Sequence, residues 1–226
     1  LAGPGGRIVG MSLKDGGHLT HGHPRSHTGM VFAAKQYGVD GNGRIDMDQV
    51  RSLVKEHKPH VLIAGGSAYA RNIDYAAFAE IAKEHEAFLM ADIAHPAGLI
   101  AAGLVPSPVG LADVVTMTTH KTLRGPRGGM ILSSSAVAKK INSSVFPGSQ
   151  GGPLVQQIAG KAVAFGEALR PEFRAYQEQV QANAAHLAKH LESEGLKIVS
   201  GGTDNHIVLV DLQGTGVTGA DVEERA

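Results

Sequence analysis

The chain has no cysteine. That absence excludes disulfides, thiolate nucleophiles and cysteine-ligated zinc together, and it suits a reducing compartment such as the cytosol. Net charge is missing too: lysine plus arginine and aspartate plus glutamate both number 21, so no field of one sign recruits nucleic acid or an anionic membrane. No apolar run approaches the ~20 residues of a membrane-spanning helix. The first residues, Leu1-Ala2-Gly3-Pro4-Gly5-Gly6, have neither a basic n-region nor a hydrophobic h-region and so do not read as a signal peptide, and no initiator methionine precedes them. The expectation is an excerpt of a longer polypeptide. What is present is an ordinary globular composition, 42% hydrophobic and 19% charged over 226 residues, enough for one large domain or a domain plus a remnant. Neutral small-molecule chemistry is the default function class.

Short apolar runs at 8–12, 61–65, 88–91, 113–118 and 130–133 read as strands with helical segments between them. The clearest unit is 61–64, a helix over 74–86 and 88–91. In that helix Tyr75, Phe78, Ala79, Ile81 and Ala82 share one stripe while Glu80, Lys83 and Glu84 lie opposite, so a right-handed strand-helix-strand crossover is expected. Strands apolar on both faces imply a largely parallel sheet covered on both sides, hence an α/β fold. Helices are expected at 47–56, 155–169 and from Pro171 to about residue 194, with Gly195 just past the last of them. Two further strands, 197–199 and 206–210, are expected around a turn at 201–205. The division is a large domain over 1–170, then an interdomain helix and the start of a smaller α+β domain over 171–226.

In an open parallel sheet, ligands sit outside the carboxyl ends of the strands. Three successive strand ends carry chemistry: Ser67; Asp92 with His95; and Thr118, His120 and Lys121. Lys121 stands where a strand gives way to Leu123-Arg124-Gly125-Pro126-Arg127-Gly128-Gly129. A crevice lysine desolvated beside cations such as His120 and Arg127 becomes a neutral amine that attacks carbonyls; a solvated lysine at a strand end is the alternative. Asp92 suits the pyridinium nitrogen of an aldehyde cofactor held on Lys121, or else a helix cap for the turn that follows. His18, His21, His23 and His27 match no standard zinc spacing, and no metal is assigned to them. A ring lying flat over a flat cofactor is a better use for one of them, and Gly16-Gly17 lets backbone approach a ligand. Asp40-Gly41-Asn42-Gly43-Arg44-Ile45-Asp46 imitates part of an EF-hand loop but has Gly38 and Gln49 where the end ligands belong, so it reads as a turn into the next helix. Gly151-Gly152-Pro153 either offers amides to a phosphate or simply starts a helix.

These residues lie in stretches that together resemble serine hydroxymethyltransferase, a pyridoxal-phosphate enzyme family of the aspartate aminotransferase fold. The stretches include Gly16-Gly17-His18-Leu19-Thr20-His21-Gly22, Ser67-Ala68-Tyr69, Ala91-Asp92-Ile93-Ala94-His95, Thr118-Thr119-His120-Lys121-Thr122, Gly151-Gly152-Pro153-Leu154 and Gly201-Gly202-Thr203-Asp204-Asn205-His206. The resemblance implies a three-layer α/β/α large domain with a mostly parallel mixed sheet. It also implies that Lys121 carries pyridoxal 5'-phosphate as an internal aldimine and that Asp92 pairs with the pyridinium nitrogen. His18 would stack on the ring, and Ser67 and His95 would hold its phenolic oxygen side. Thr118, His120 and Arg127 would shape the pocket, and Gly151 and Gly152 would reach the cofactor phosphate of the neighbouring subunit in a homodimer or homotetramer. Leu13, Gly17, His18 and Leu19 match folate positions. The implied reaction is reversible transfer of the hydroxymethyl carbon of serine to tetrahydrofolate in the cytoplasm, giving glycine and 5,10-methylenetetrahydrofolate, with no nucleic-acid or membrane partner.

The sequence also departs from the family. The family's catalytic glutamate and its cofactor-contacting tyrosine and serine belong to a segment before residue 1, and its substrate-gripping arginine to a segment after residue 226. His23-Pro24-Arg25-Ser26-His27-Thr28-Gly29-Met30 is more basic than usual, and the loop after Leu132 is shorter, as in a divergent subfamily with altered substrate use. The isolated chain is expected to be inactive. A threonine aldolase-like enzyme of the same fold and a non-catalytic cofactor-binding fragment are the alternatives.

Overall fold

The computed structural model describes residues 1–225. In chain order the strands are β1 (Arg7–Met11), β2 (Ala33–Tyr37), β3 (Val61–Gly65), β4 (Phe88–Asp92), β5 (Val114–Thr118) and β6 (Gly129–Ser133), followed by the short β7 (Lys197–Ile198) and β8 (Val210–Asp211). The helices are α1 (His27–Val31), α2 (Met47–His57), α3 (Tyr75–Glu84), α4 (Ala97–Ala101), α5 (Ser135–Val145), α6 (Val155–Ala168), α7 (Pro171–Ser193) and α8 (Gly219–Arg225). The first six strands form one sheet in the order β2-β1-β3-β4-β5-β6, parallel except for β6, which runs antiparallel to β5. This is the expected α/β architecture with a mostly parallel mixed sheet.

Alternation within the strands decides the layers, because successive side chains point to opposite faces. On one face Val9, Met11, Leu62, Ala64, Leu89, Ala91, Val115 and Met117 pack against Val50 and Val54 of α2 and Tyr75, Phe78 and Ile81 of α3. Phe78 and Ile81 are almost wholly buried, and each such side chain contributes roughly 1.5–3 kcal/mol. Both helices start on an aspartate: Asp46 Oδ1 accepts from the Gln49 amide at 2.9 Å and Asp74 Oδ1 from the Ala77 amide at 3.0 Å, each cap worth about 1 kcal/mol. On the other face Ile8, Val61 and Ile63 pack with Phe32, Ala34 and Met90. There α1 and α5 flank an apolar groove of about 340 Å³ floored by Ile8, Ile63, Met90, Val114 and Ile131.

The chain leaves β1 in one direction, to β2, and then returns past it to β3, so the topological switch point lies between the carboxyl ends of β1 and β3. The two ends are stitched together there: the Ser67 and Ala68 amides donate to the Gly16 carbonyl at 2.7 and 3.0 Å.

Two expectations change and one holds. β2 was not anticipated because Ala33-Ala34-Lys35-Gln36-Tyr37 is polar on its exposed side, as an edge strand can be. The 206–210 strand shrinks to β8 because the preceding residues are tied elsewhere: Arg71 pairs with Asp204 at 2.8 Å, the Asp204 amide donates to the Ala70 carbonyl, and Asn205 Nδ2 donates to the Tyr69 carbonyl at 3.0 Å. The Asp40 segment is the expected turn, closed by Asp40 Oδ1 accepting from the Asn42 and Arg44 amides at 2.9 Å each.

Candidate functional site

The crevice is built at the carboxyl ends of β1, β3, β4 and β5. After β1 the chain turns through Gly16 (φ +109°) and Gly17. A Cβ on Gly17 would lie 2.1 Å from the Met11 carbonyl oxygen, and one on Gly16 would lie 2.5 Å from that of Ala68, so the turn closes only with glycine. The tight turn presents His18 and, three residues on, His21. His18 is exposed at the rim, its Nδ1 accepting from the Thr20 amide at 3.2 Å and lying 2.8 Å from Thr20 Oγ1. Partial burial, His21 and Lys121 hold the His18 pKa below its ordinary value, against the pull of Asp92. Leu13 and Leu19 flank the turn, 40% and 44% exposed.

His21 is 1% exposed and is the functional residue that composition and spacing did not single out. Its Nδ1 accepts from the His18 amide at 3.2 Å, which leaves the proton on Nε2, and Nε2 donates to Asp92 Oδ2 at 2.8 Å. Asp92 Oδ1 accepts from the Ala94 amide at 3.1 Å. With that bond Asp92 caps the turn that follows it, although it is not the cap of α4, which starts later with Pro96 at its cap position and no side-chain cap. Burial alone would push the Asp92 carboxyl up, but the His21 hydrogen bond, the Ala94 amide and His18 outweigh it and hold the pKa below the ordinary carboxylate value. Gly65 of β3 makes room, because a Cβ there would meet the Asp92 carbonyl oxygen at 2.6 Å.

Lys121 is half-buried, one turn beyond β5. Its Nζ donates to Thr118 Oγ1 at 3.3 Å, and Thr118 Oγ1 donates in turn to the Ala94 carbonyl at 3.2 Å, linking the amine to the loop that carries Asp92 and His95. His95 stacks on His206, ring centroids 5.7 Å apart and planes 14° off parallel. Burial first, then Lys121 and His206, push the His95 pKa down to about 4. Lys121 and Asp92 both lie close enough to His18 and His95 for their charges to move those imidazole pKa values. His120 faces away along its own loop, Nδ1 accepting from the Gly128 amide at 3.3 Å and Nε2 lying 3.1 Å from Arg127 Nη1. Ser67, half-buried, follows the carboxyl end of β3, where its amide donates to the Gly16 carbonyl.

Gly151 and Gly152 are not brought to Lys121. They are exposed between α5 and α6, and a Cβ on either would meet nothing within 4 Å. Among the described residues no group of three or more His, Asp or Glu side chains is placed to hold a metal ion, and no helix is long and apolar enough to cross a membrane.

The donor set suits an aldehyde cofactor with a basic ring nitrogen: one amine, one half-buried carboxylate kept ionised by an imidazole, a neutral imidazole and hydroxyls at neighbouring strand ends. The comparisons with known proteins give the family. A family model described as serine hydroxymethyltransferase matches residues 1–226. The serine hydroxymethyltransferase of Leptothrix cholodnii is 58% identical over 223 residues, covering 99% of this chain and 54% of that protein. That of Legionella pneumophila is 58% identical over 226 residues, with 99% and 54% covered, and that of Sphingopyxis alaskensis is 58% identical, with 99% and 52% covered. The chain spans about half the length of the curated relatives it matches. A match that runs from the first residue to the last establishes that the chain belongs to the serine hydroxymethyltransferase family.

Proposed function

We propose that residues 1–225 form the cofactor-binding half of an active site that holds pyridoxal phosphate covalently at Lys121. The whole protein then transfers the hydroxymethyl carbon of serine to tetrahydrofolate, yielding glycine, 5,10-methylenetetrahydrofolate and water. The observation that carries this reading is the half-buried Asp92 carboxylate, hydrogen-bonded by His21 at 2.8 Å on the strand beside the one that presents Lys121. When bound, the cofactor supplies a ring that accepts the electrons released as the Cα–Cβ bond of serine breaks. Asp92, ionised and fixed by His21, keeps a proton on the ring nitrogen. The exposed His18 ring covers the cofactor and excludes water from that side. Ser67 and His95 hold the oxygen side, where a His95 that is neutral at working pH can accept a hydrogen bond. Thr118 orients the Lys121 amine, and the His120–Arg127 pair shapes the loop around it.

Leu13, Gly17 and Leu19, at the mouth, provide an apolar rim for the pterin of tetrahydrofolate. Gly151 and Gly152 face outward beside Phe146, Leu154 and Val155, each more than 60% exposed. An apolar patch next to free backbone amides supports a homodimer in which these glycines reach the partner's cofactor phosphate.

The test is to add pyridoxal phosphate to the chain, reduce with borohydride and map the labelled peptide. One dominant label at Lys121, lost in Lys121→Ala, is expected; labels spread evenly over the lysines would overturn the assignment. Turnover is tested in a chimaera in which the 226 residues replace the matching span of the Legionella pneumophila enzyme. Serine cleavage should rise with tetrahydrofolate, and a rate indifferent to tetrahydrofolate would refute the transferase reading.

A further inference from the structure

One polar side chain lies where helix packing calls for an apolar one. Gln177 on α7 is fully buried, on the face that also buries Phe173, Ala184 and Ala188. Its Nε2 donates to the backbone carbonyl of Thr122 at 2.7 Å, and its Oε1 is buried with no hydrogen-bond partner among the described residues. A leucine or methionine would fill the same space without leaving an acceptor unpaired. What Gln177 adds is a hold on the peptide that follows Lys121.

Thr122 is a junction. Its Oγ1 donates to the His95 carbonyl and accepts from the Gly98 amide at 2.9 Å, so it ties the Lys121 loop to the Asp92–His95 loop. Gly98 leaves the passage open: a Cβ there would lie 2.2 Å from the Thr122 carbonyl oxygen and 2.6 Å from Gln177 Nε2. The same helix face grips the loop a second time. Phe173, Tyr176 and Gln177, at i, i+3 and i+4, form one stripe, and Arg124 lies over the Tyr176 ring at 4.6 Å and the Phe173 ring at 5.7 Å. Arg124 has φ +60°, a conformation that non-glycine residues hold only when surrounding contacts impose it. The Arg124 amide also donates to the Lys121 carbonyl at 2.9 Å, closing the turn.

We propose that Gln177 is a positioning residue for Lys121: with Thr122 and the Arg124 contacts, it makes α7 the platform that fixes where the reactive amine stands. The proposal deepens the reading of Lys121 given above and rests on it for its functional meaning, but the placement of the amine is measurable without cofactor.

The experiment is trace acetylation of the cofactor-free chain, with Lys121 labelling read against the exposed Lys55 by mass spectrometry across pH. Gln177→Met is expected to change the Lys121-to-Lys55 ratio at least threefold. Val50→Ala, which destabilises through α2 at a distance, should leave it unchanged. An unchanged ratio in Gln177→Met alongside a lowered Tm would make Gln177 merely structural and overturn the proposal. Gln177→Glu supplies a rescue arm that also serves if the methionine variant fails to fold. Its protonated carboxyl can donate to the Thr122 carbonyl and its ionised form cannot, so the ratio should approach wild type at acid pH and depart from it at alkaline pH. A glutamate variant that tracks wild type at every pH would refute the idea. Cofactor trapping under borohydride is run in parallel. Absence of trapping at Lys121 in the wild type counts against the cofactor reading, whereas the acetylation ratios decide the role of Gln177.

Discussion

Replacing His21 with leucine removes the only side chain among the described residues that hydrogen-bonds the Asp92 carboxylate while keeping roughly the same buried volume, so the cavity contribution is small. The two side chains are 2% and 18% exposed. Breaking a buried pair by deleting one partner costs about 3–5 kcal/mol, and Asp92's partial exposure brings the expected loss to about 2–4 kcal/mol at neutral pH. The pH dependence separates this mechanism from simple repacking. In the wild type the folded Asp92 pKa lies below 3.8, so its contribution is present above that value and is lost as pH falls through the lowered folded pKa. In His21→Leu burial dominates, the folded pKa rises above the ordinary value, and the penalty present at neutral pH is relieved as the carboxyl takes a proton. The gap between the two proteins should therefore narrow steadily from pH 8 to pH 4 in urea unfolding followed by circular dichroism. His21→Gln, which can place an N–H near the same carboxylate, should recover about 1–2 kcal/mol. A gap below about 1 kcal/mol, or one that does not change with pH, would show that the pair does not hold Asp92 ionised.

Lys121→Arg keeps the positive charge but has no amine that loses its proton near neutral pH, so cofactor trapping should fall to background; trapping at wild-type levels would move the attachment to another lysine. Asp92→Asn in the chimaera should retain cofactor and lose turnover by several orders of magnitude, and near-normal turnover would remove the ring-nitrogen role. His95, pushed down to about 4 from 6.5, stays neutral in the fold while the unfolded imidazole protonates, so stability present above pH 6.5 drains away as pH falls to about 4. Solvent screening at this half-buried ring limits the drop to roughly 1–2 kcal/mol, and titration of His95→Asn should show a shallower slope over that window. Gly17→Ala, whose Cβ meets the Met11 carbonyl at 2.1 Å, should cost more than about 2 kcal/mol and displace His18; a neutral effect would mean that the turn relaxes freely.

The strand ends were readable because parallel strands buried on both faces are continuous apolar runs, and the polar residue that ends each run stands out. Asp92, Thr118 and Lys121 were found in this way. His21 was not, although it belongs to the cluster of four histidines, because its role depends on a partner 71 residues away and on a turn that buries one imidazole while exposing another. Gln177 was invisible for a similar reason: in an amphipathic helix a glutamine reads as solvated, and only the approach of α7 to Gly98 and Thr122 makes it interior. The loss of the 206–210 strand shows the limit from the other side. Ile207-Val208-Leu209-Val210 has strand propensity, but the tethers from Asp204 and Asn205 to the 69–72 segment leave just two residues free to pair.

The Gln177 tether has a further consequence in time. Gln177 lies 55 residues after Thr122, and Asn205, which fixes the approach to His206, lies 136 residues after Tyr69. A ribosome adding about 5–20 residues per second makes the Lys121 loop roughly 3–11 s before it makes the helix that braces it. During that interval the β4 and β5 ends exist on the nascent chain while the amine has no fixed address. Selective capture of one aldehyde therefore begins with the delivery of α7, well after the lysine itself has been synthesised.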